Sequence, residues 1–278
     1  MTLKTGSVPY LVGRPLDWGL EQTTGIQYQQ AVPSNLVAGL RESRLDLALV
    51  SSIELFRRPG YSYIHGLGVG SRGAVDSVQV FLRCPMDKVK RIALDPSSRA
   101  AATLVRVLLA DRPQGPPEYL EVPAGEDPRE VDADAWLRIG DQALHECWLE
   151  ELEHWNPAQA WTQQTKLPFV FAVWLVRDKA ATQALLPQFY KAAERGSAAI
   201  EEIAEQGAAA LGLPLEPLRH YLIEQCTFQP GAPMTASLEL FGKHAQALGQ
   251  GSEPLPQHPL SMGGAPAPSD ARRVSCPD

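Results

Sequence analysis

Short apolar runs alternate with amphipathic stretches along the first half of the chain. The runs at residues 7–11, 26–31 and 47–50 have the length and composition of β-strands. Residues 33–42 instead repeat apolar side chains at the spacing of one helix face, after a proline–serine pair that suits a helix start. Because short connections join strand, helix and strand, the pattern predicts a βαβ unit within a parallel sheet.

The alternation begins again near residue 78 and then gives way to helices. Further strands are predicted at residues 78–84, 91–94, 119–122, 136–139 and 169–176. Helices are predicted between and after them, at residues 100–110, 141–149, 179–206, 214–222 and 235–248. The glycine-rich segment 66–70 lacks the lysine of a phosphate-binding loop and is predicted to be a flexible loop.

This repeated pattern predicts an α/β protein with two lobes. The long apolar strands at 78–84 and 169–176 are interpreted as the crossovers between the lobes. The predicted division gives a discontinuous first lobe (1–83 and 175–248), a second lobe (84–174) and a flexible Pro/Gly-rich tail (249–278). The C-terminal helices are expected to pack on the first lobe. A cleft between two such lobes is a favoured site for a small ligand.

Composition and charge narrow the classes of function. Hydrophobic residues make up 44% of the 278 residues, which is enough for a core and excludes global disorder. The formal net charge of −7 argues against a nucleic-acid partner, because phosphate binding needs clustered Lys and Arg. An anionic ligand would have to meet a locally positive pocket.

The cysteines and the N-terminus indicate a cytoplasmic protein. Cys84, Cys147, Cys226 and Cys276 lack the spacing of a zinc site and are expected to be free thiols in a reducing compartment. The first residues lack the apolar core of a secretory signal, and no apolar run is long enough to span a bilayer. Neither a membrane nor a nucleic acid is therefore expected as a partner.

The segment 95–99 has the properties of an anion-binding helix start. It follows a predicted strand, precedes a helix, and contributes the hydroxyls of Ser97 and Ser98 and the guanidinium of Arg99. Free N–H groups at a helix N-terminus, together with a guanidinium, suit a carboxylate or a phosphate. The alternative is structural: one serine caps the helix, and Arg99 pairs with Asp95 or another acid. The residues alone leave both interpretations open.

Other polar residues stand at strand ends or at a lobe junction. Ser51 follows the strand at 47–50, and Asp141 begins the helix after the strand at 136–139. Each could contact a ligand or only stabilise its helix start. Ser77 begins the first crossover strand, and Arg14, in the turn after the first strand, could reach the cleft or lie on the surface.

The sequence contains no motif of conventional nucleophilic, metal or nucleotide chemistry. GxSxG, HExxH, a Walker loop and a strand-linked GxGxxG are all missing, and the histidines stand outside any motif. The sequence therefore predicts neither a metal site nor a cofactor.

Six segments, in order, resemble the chorismate dehydratase family of the futalosine route to menaquinone. They are YLVGRPLDWGL (10–20), VPSNLVAGLRESRLDLALVSSIEL (32–55), DSVQVFLRCP (76–85), RIALDPSSRAAATLVRVLL (91–109), DAWLRIGDQAL (134–144) and WTQQTKLPFVFAVWLVR (161–177). The likeness covers about residues 7–248. It implies a periplasmic-binding-protein-like α/β fold of type II. It also implies a hydro-lyase that removes water from chorismate, a small dianion, to give 3-[(1-carboxyvinyl)oxy]benzoate.

The resemblance suggests roles for the candidate residues. Ser77 is the expected catalytic residue, hydrogen-bonded near the departing hydroxyl. The helix start at Ser97, Ser98 and Arg99 is expected to hold one substrate carboxylate. Arg14 or Ser51 would help to hold the other, and Asp141 completes the candidate substrate-binding set. No protein base is evident, so a substrate carboxylate is expected to take the proton.

Three positions depart from the family pattern. Val12 stands where the pattern has an asparagine, Ala100 and Ala101 replace Thr-Ser, and Lys166 replaces a glycine. The first two changes remove polar groups and favour an alternative: a non-catalytic cytosolic protein that binds a small aromatic or dicarboxylic anion. A ligand-sensing regulatory module is a weaker alternative, because no basic face accompanies it.

Overall fold

The computed structural model describes residues 2–97, 99–150 and 152–262. Its strands are β1 (Leu3–Ser7), β2 (Ile26–Gln30), β3 (Leu47–Ser51), β4 (Ser62–Ser71), β5 (Val78–Leu82), β6 (Arg91–Leu94), β7 (Glu118–Glu121), β8 (Ala135–Ile139), β9 (His154–Trp155), β10 (Phe169–Val176) and β11 (Cys226–Thr227). Its helices are α1 (Arg14–Asp17), α2 (Pro33–Arg41), α3 (Arg99–Leu109), α4 (Gly140–Leu149), α5 (Pro157–Thr165), α6 (Lys179–Ala198), α7 (Ile200–Leu211), α8 (Leu215–His220) and α9 (Pro233–Ala247).

The first sheet has the strand order β11-β4-β10-β3-β1-β2. Strand β1 lies between β2 and β3 and is parallel to both, which confirms the predicted βαβ unit. Strand β10 runs antiparallel to β3 and β4. Helix α2 packs against β3, α6 against β1 and β4, and α9 against β10. The C-terminal helices therefore cover the first sheet, as predicted.

The second sheet has the order β7-β6-β8-β5-β9. Strand β6 is parallel to β7 and β8, whereas β5 is antiparallel to β8 and β9. Leu137 of β8 and Ile92 of β6 are fully buried. The two sheets and their helices form the predicted two-lobed α/β fold.

The two crossover strands each belong to a single sheet. Strand β5 pairs only within the second sheet and β10 only within the first, over the residues that the structure describes. The connections between the sheets are therefore made by the segments before these strands, residues 72–77 and 156–168. A strand inside a sheet satisfies its backbone N–H and C=O groups by hydrogen bonds to the strands on both sides. A long apolar strand that is covered on both faces therefore stays within one sheet. The division into lobes at 83/84 and 174/175 stays a prediction.

Two strands differ from the sequence predictions. The first strand is Leu3–Ser7 rather than residues 7–11, because its buried Thr5 and Ser7 break the apolar pattern. The glycine-rich segment predicted as a flexible loop lies inside β4, between β10 and β11. A Cβ on Gly68 or Gly70 would lie 2.7 Å from a carbonyl oxygen of β10. These glycines permit close packing of two strands.

The first part of the predicted flexible tail packs against the first lobe. Leu260 pairs with β4, donating its N–H to the Tyr63 carbonyl at 2.9 Å and accepting from His65 N at 2.8 Å. Ser252 N donates to the Phe56 carbonyl at 2.8 Å. The remainder of the tail, with Cys276, lies outside the described residues.

Cys84, Cys147 and Cys226 are free thiols. Among the helices described, none is both long enough and apolar enough to cross a membrane.

We expect Gly196→Ala to lower the free energy of unfolding by about 1–3 kcal/mol, because overpacking a close contact costs about that much. A Cβ at Gly196 of α6 would lie 2.1 Å from the Pro15 carbonyl oxygen of α1. At a helix position with free space around it, the same change would raise the free energy of unfolding by up to about 1 kcal/mol. The sign of the measured change therefore shows whether Gly196 is in close contact. The exposed neighbour Ser197→Ala is the control. Urea unfolding measures both, and a stabilised Gly196→Ala variant would contradict this packing.

Candidate functional site

Two connected chambers lie between the sheets. The inner chamber encloses about 750 Å³ and the outer one about 1640 Å³, open mouths included. Tyr10, Ser51, Ser97 and Arg99 line both. Most side chains around the inner chamber are apolar, and Ser77 and Cys226 are its further polar groups. A mainly apolar cleft with a few convergent polar groups is typical of a small-molecule site.

A buried carboxylate holds Arg99 at the junction of the two chambers. Glu54, in the 3₁₀ turn Ser52–Phe56, is 2% exposed. Its Oε1 lies 3.0 Å from Arg99 Nη1 and 3.2 Å from Arg57 Nη1. Its Oε2 lies 2.9 Å from Arg41 Nη2. Within the described part of the chain, these three guanidiniums outnumber their carboxylate, so the excess charge is positive.

The start of α3 is fixed by Asp95. The Asp95 carboxylate accepts from the hydroxyl of Ser97 and, at 2.8 Å, from its N–H. Its second oxygen accepts from Ile139 N at 3.3 Å, which ties the turn to the end of β8. Tyr10, from the first lobe, lines both chambers beside Ser97. The Ser97 side chain thus donates to Asp95 rather than capping α3, and Ser97 lines both chambers. Ser98 lies outside the described residues.

Ser51 and Ser77 both line the inner chamber. The Ser51 hydroxyl is buried and finds no hydrogen-bond partner among the described residues. An unpaired buried hydroxyl costs free energy, which a ligand acceptor or donor would recover. Ser77 is 6% exposed, and its carbonyl accepts from Gly140 N at 2.8 Å, at the first residue of α4.

Asp141 joins the lobes beside the outer chamber. It stands in the first turn of α4, and its carboxylate accepts a hydrogen bond from the backbone N–H of Leu11. Burial raises the pKa of Asp141, and the hydrogen bond from Leu11 only partly opposes this effect. Asp141 also lines a separate surface pocket of about 510 Å³.

Arg14 is not brought together with the other candidates. It pairs with Asp17 at 3.0 Å, lies 5.2 Å from the Trp18 ring centroid, and lines the surface pocket rather than either chamber. The reason is that residue 14 begins α1, which packs against α6 and α7. The expectation that Arg14 could reach the cleft is therefore not met.

The sequence did not single out Glu54 or Tyr10 as site residues. In the sequence Glu54 follows Ser51 by three residues, a spacing typical of a helix cap, whereas its contacts with Arg41 and Arg99 make it the centre of a charge cluster. Tyr10 lies within the first segment that resembles the family, and nothing else in the sequence indicated that it belongs to the site. Among residues 2–97, 99–150 and 152–262, no group of three or more His, Cys, Asp or Glu side chains is arranged to hold a metal ion.

Comparison with known sequences identifies a family and related proteins. Residues 3–247 match the model of a family described as menaquinone biosynthesis. The chain is 29% identical over 238 residues to the chorismate dehydratase of Thermus thermophilus, covering 77% of this chain and 87% of that protein. It is 28% identical over 240 residues to the chorismate dehydratase of Campylobacter jejuni, covering 86% and 92%.

Solved structures share the fold at low identity. A protein of Archaeoglobus fulgidus superposes with a TM-score of 0.71 at 15% identity, covering 89% of this chain and 98% of that one. The alkanesulfonate-binding protein of Xanthomonas axonopodis, bound to MOPS, gives 0.66 at 16% identity, covering 91% and 94%. The Escherichia coli aliphatic sulphonate binding protein gives 0.63 at 15%, covering 99% and 98%. The predicted periplasmic-binding-protein-like fold is confirmed.

We expect Glu54→Gln to lower the free energy of unfolding by about 2 kcal/mol, because it removes the charge that three arginines share in a buried position. The arginines are partly exposed and can regain water, which limits the loss. Glu42→Gln is the matched control, since Glu42 pairs with Arg44 where both side chains are more than half exposed. That control should change stability by at most about 0.5 kcal/mol. Equal effects in urea unfolding would contradict the central position of Glu54.

We expect Asp141→Asn to stabilise the protein at neutral pH. Because burial raises the pKa of Asp141 in the folded state, the ionised carboxylate lowers stability above the pKa of the unfolded chain. Asparagine keeps an oxygen for the Leu11 N–H without that cost. The gain should shrink as the pH falls toward about 4, where both states take up the proton. Urea unfolding across this range measures it, with the exposed Asp132→Asn as control. A less stable Asn variant at neutral pH would contradict the argument.

Proposed function

Because the chain belongs to the menaquinone biosynthesis family, we propose that it is a chorismate dehydratase, which removes water from chorismate to give 3-[(1-carboxyvinyl)oxy]benzoate. Two relatives with this name match most of its length. The observation that carries the proposal is the inner chamber: a mainly apolar cleft with Arg99 held at its edge by a buried carboxylate. Apolar walls suit the ring of chorismate, and a guanidinium suits a carboxylate.

Binding in this proposal divides between the two lobes. Arg99 and the N-terminal turn of α3, which follows Ser97, hold one carboxylate from the second lobe. The unpaired hydroxyl of Ser51 contacts the other carboxylate from the first lobe. Arg14 has no part, because it lines neither chamber. Asp141 also binds no substrate, because a carboxylate would repel a dianion; it ties α4 to Leu11 and so keeps the lobes together.

The reaction needs positioning more than a strong protein base. A proton leaves the ring carbon next to the hydroxyl-bearing one, the C–O bond breaks, and the new double bond completes an aromatic ring. A substrate carboxylate takes the proton and passes it to the departing hydroxide, so that water leaves and no oxidant is required. Ser77 donates a hydrogen bond to the departing oxygen. Its burial in the chamber strengthens that contact, because little water competes for it.

The second candidate function is binding without turnover, of a small aromatic or dicarboxylic anion. The observation in its favour is that Val12, Ala100 and Ala101 line the inner chamber, where the family pattern places polar side chains. Both functions use Arg99 and Ser51, and they differ in whether Ser77 supports chemistry.

We expect the purified protein to convert chorismate to an aromatic product that chromatography detects. Ser77→Ala should lower kcat about 100-fold, the usual loss when a group that assists a departing oxygen is removed. Ser34→Ala, on the exposed rim of the outer chamber, is the control and should keep full activity. Calorimetry gives the chorismate affinity of each variant. Binding without product would select the second function, and neither binding nor product would exclude the dehydratase.

A further inference from the structure

Strand β10 carries a β-bulge where it borders the inner chamber. In its ladder with β4, Val170 is paired with Gly70 and the next pair is Ala172 with Val69. Phe171 is therefore an extra residue on that side, and the ladder with β3 begins only at Ala172. β-Bulges are frequent next to active sites, where they redirect a side chain. The bulge thus makes Phe171 the residue of β10 whose side chain is free from the regular pattern of the sheet.

The contacts around the bulge hold it in one arrangement. The buried Ser52 hydroxyl donates to the Val170 carbonyl at 2.7 Å, which gives a bulge carbonyl a partner. The Phe171 ring meets the fully buried Phe169 ring edge-on, with centroids 4.8 Å apart. Phe169 in turn packs edge-on against Phe241 of α9, with centroids 5.0 Å apart. The Phe171 ring is therefore supported from behind by the core of the first lobe.

Phe171 is partly exposed within a strand that is otherwise buried. Of the eight residues of β10, only Phe171 and Ala172 are not buried, and both line the inner chamber. Tyr10 and Phe171 are the aromatic residues of that lining, and Phe171 borders the inner chamber alone, whereas Tyr10 borders both. Aromatic surface that faces a cleft gains free energy when a ligand removes it from water.

An aromatic wall discriminates between ring shapes. The chorismate ring has two tetrahedral carbons and is not flat, whereas the ring of the aromatic product is planar. Aromatic rings pack best in offset-stacked or edge-to-face pairs, which a planar ring fits and a puckered ring does not. A contact that improves as the substrate ring flattens is stronger in the transition state than in the ground state, and such contacts accelerate the chemical step.

We propose that Phe171 is a specificity-determining residue of the inner chamber, whose ring packs against the ligand ring and favours a planar aromatic ring over a saturated one. This inference rests on the proposed function, which supplies the ring that becomes aromatic. Phe171 takes no part in proton transfer. It selects the shape of the ring, while Arg99 and Ser51 bind the carboxylates.

The binding test compares two dianions that differ in the ring alone, isophthalate and cis-cyclohexane-1,3-dicarboxylate. The wild-type protein should bind isophthalate about five-fold more tightly, the ratio expected from one aromatic pair. Phe171→Leu keeps an apolar side chain and should reduce that preference to less than about two-fold. The control is Phe228→Leu, which removes another aromatic ring, one that lines neither chamber, and should leave the preference unchanged. Ligand-observed NMR measures the affinities.

The kinetic test uses chorismate and the same two variants. Phe171→Leu should lower kcat about five-fold and change KM by less than about two-fold, because the contact improves only as the ring flattens. Phe228→Leu should keep the wild-type values. A Phe171→Leu variant with unchanged kcat would contradict the stronger contact in the transition state.

The outcomes separate this inference from the proposed function. Turnover of chorismate by a wild-type protein that binds both dianions equally, or binds neither, overturns the role of Phe171 alone. The same holds if Phe171→Leu keeps the preference or Phe228→Leu loses it. A preference that depends on Phe171, without turnover, overturns the dehydratase and keeps Phe171 as a determinant of binding.

A crystal structure of the wild-type protein with isophthalate is a second measurement, which needs no variant to fold. A ligand ring whose centroid lies within about 7 Å of the Phe171 ring centroid supports the proposal. A ligand ring bound away from Phe171 contradicts it.

Discussion

The buried carboxylate of Glu54 is the interaction on which the rest of the site depends. An ionised carboxylate that loses its water costs several kcal/mol unless partners replace that water. Three guanidiniums, at 2.9, 3.0 and 3.2 Å, supply the replacement. One of them, Arg99, begins α3, which follows a strand of the second sheet, whereas Glu54 follows a strand of the first. The contact that satisfies the carboxylate therefore also joins the two lobes beside the chambers.

The cluster around Glu54 places positively charged side chains next to the chambers of a protein whose net charge is negative. The net charge of −7 is spread over the chain, whereas Arg41, Arg57 and Arg99 outnumber the Glu54 carboxylate that they share, and Arg99 of this cluster lines both chambers. Local fields in a cleft of low dielectric outweigh distant surface charges, which salt screens. Arg99 and the contact of Asp141 with Leu11 both connect the lobes next to the chambers.

Much of the fold was predictable because strands buried on both faces appear in the sequence as continuous apolar runs. Strands β3 and β10 are buried along most of their length and appear as apolar runs. Strand β1 was misplaced because Thr5 and Ser7 are buried polar residues. Strand β4 was missed because a glycine that allows close strand packing looks the same, in sequence, as one that allows flexibility. That distinction depends on the neighbouring strand, which the local pattern does not contain.

The site was predictable to the extent that strand ends define it. Ser51 and Ser97 stand at or just after strand ends, where α/β sheets bind ligands, and both line the chambers. Arg14 also follows a strand, but its direction is set by the packing of α1 on α6. The role of Glu54 was invisible because Arg41 and Arg99 are 13 and 45 residues away along the chain. Pairings at such separations are decided by tertiary structure.

The apolar wall at Val12, Ala100 and Ala101 does not by itself decide against catalysis. Loss of water from chorismate is driven by formation of the aromatic ring, so the protein must orient the substrate rather than supply a strong base or acid. Fewer polar groups in the chamber mean less water and a lower effective dielectric, which strengthens each hydrogen bond and ion pair that remains. Fewer polar groups also mean that each one must be held more firmly. The contact behind Arg99, from the buried carboxylate of Glu54, is of that kind. An apolar chamber with a firmly held guanidinium and the buried Ser77 is therefore compatible with a dehydratase that places most of its catalytic demand on Ser77.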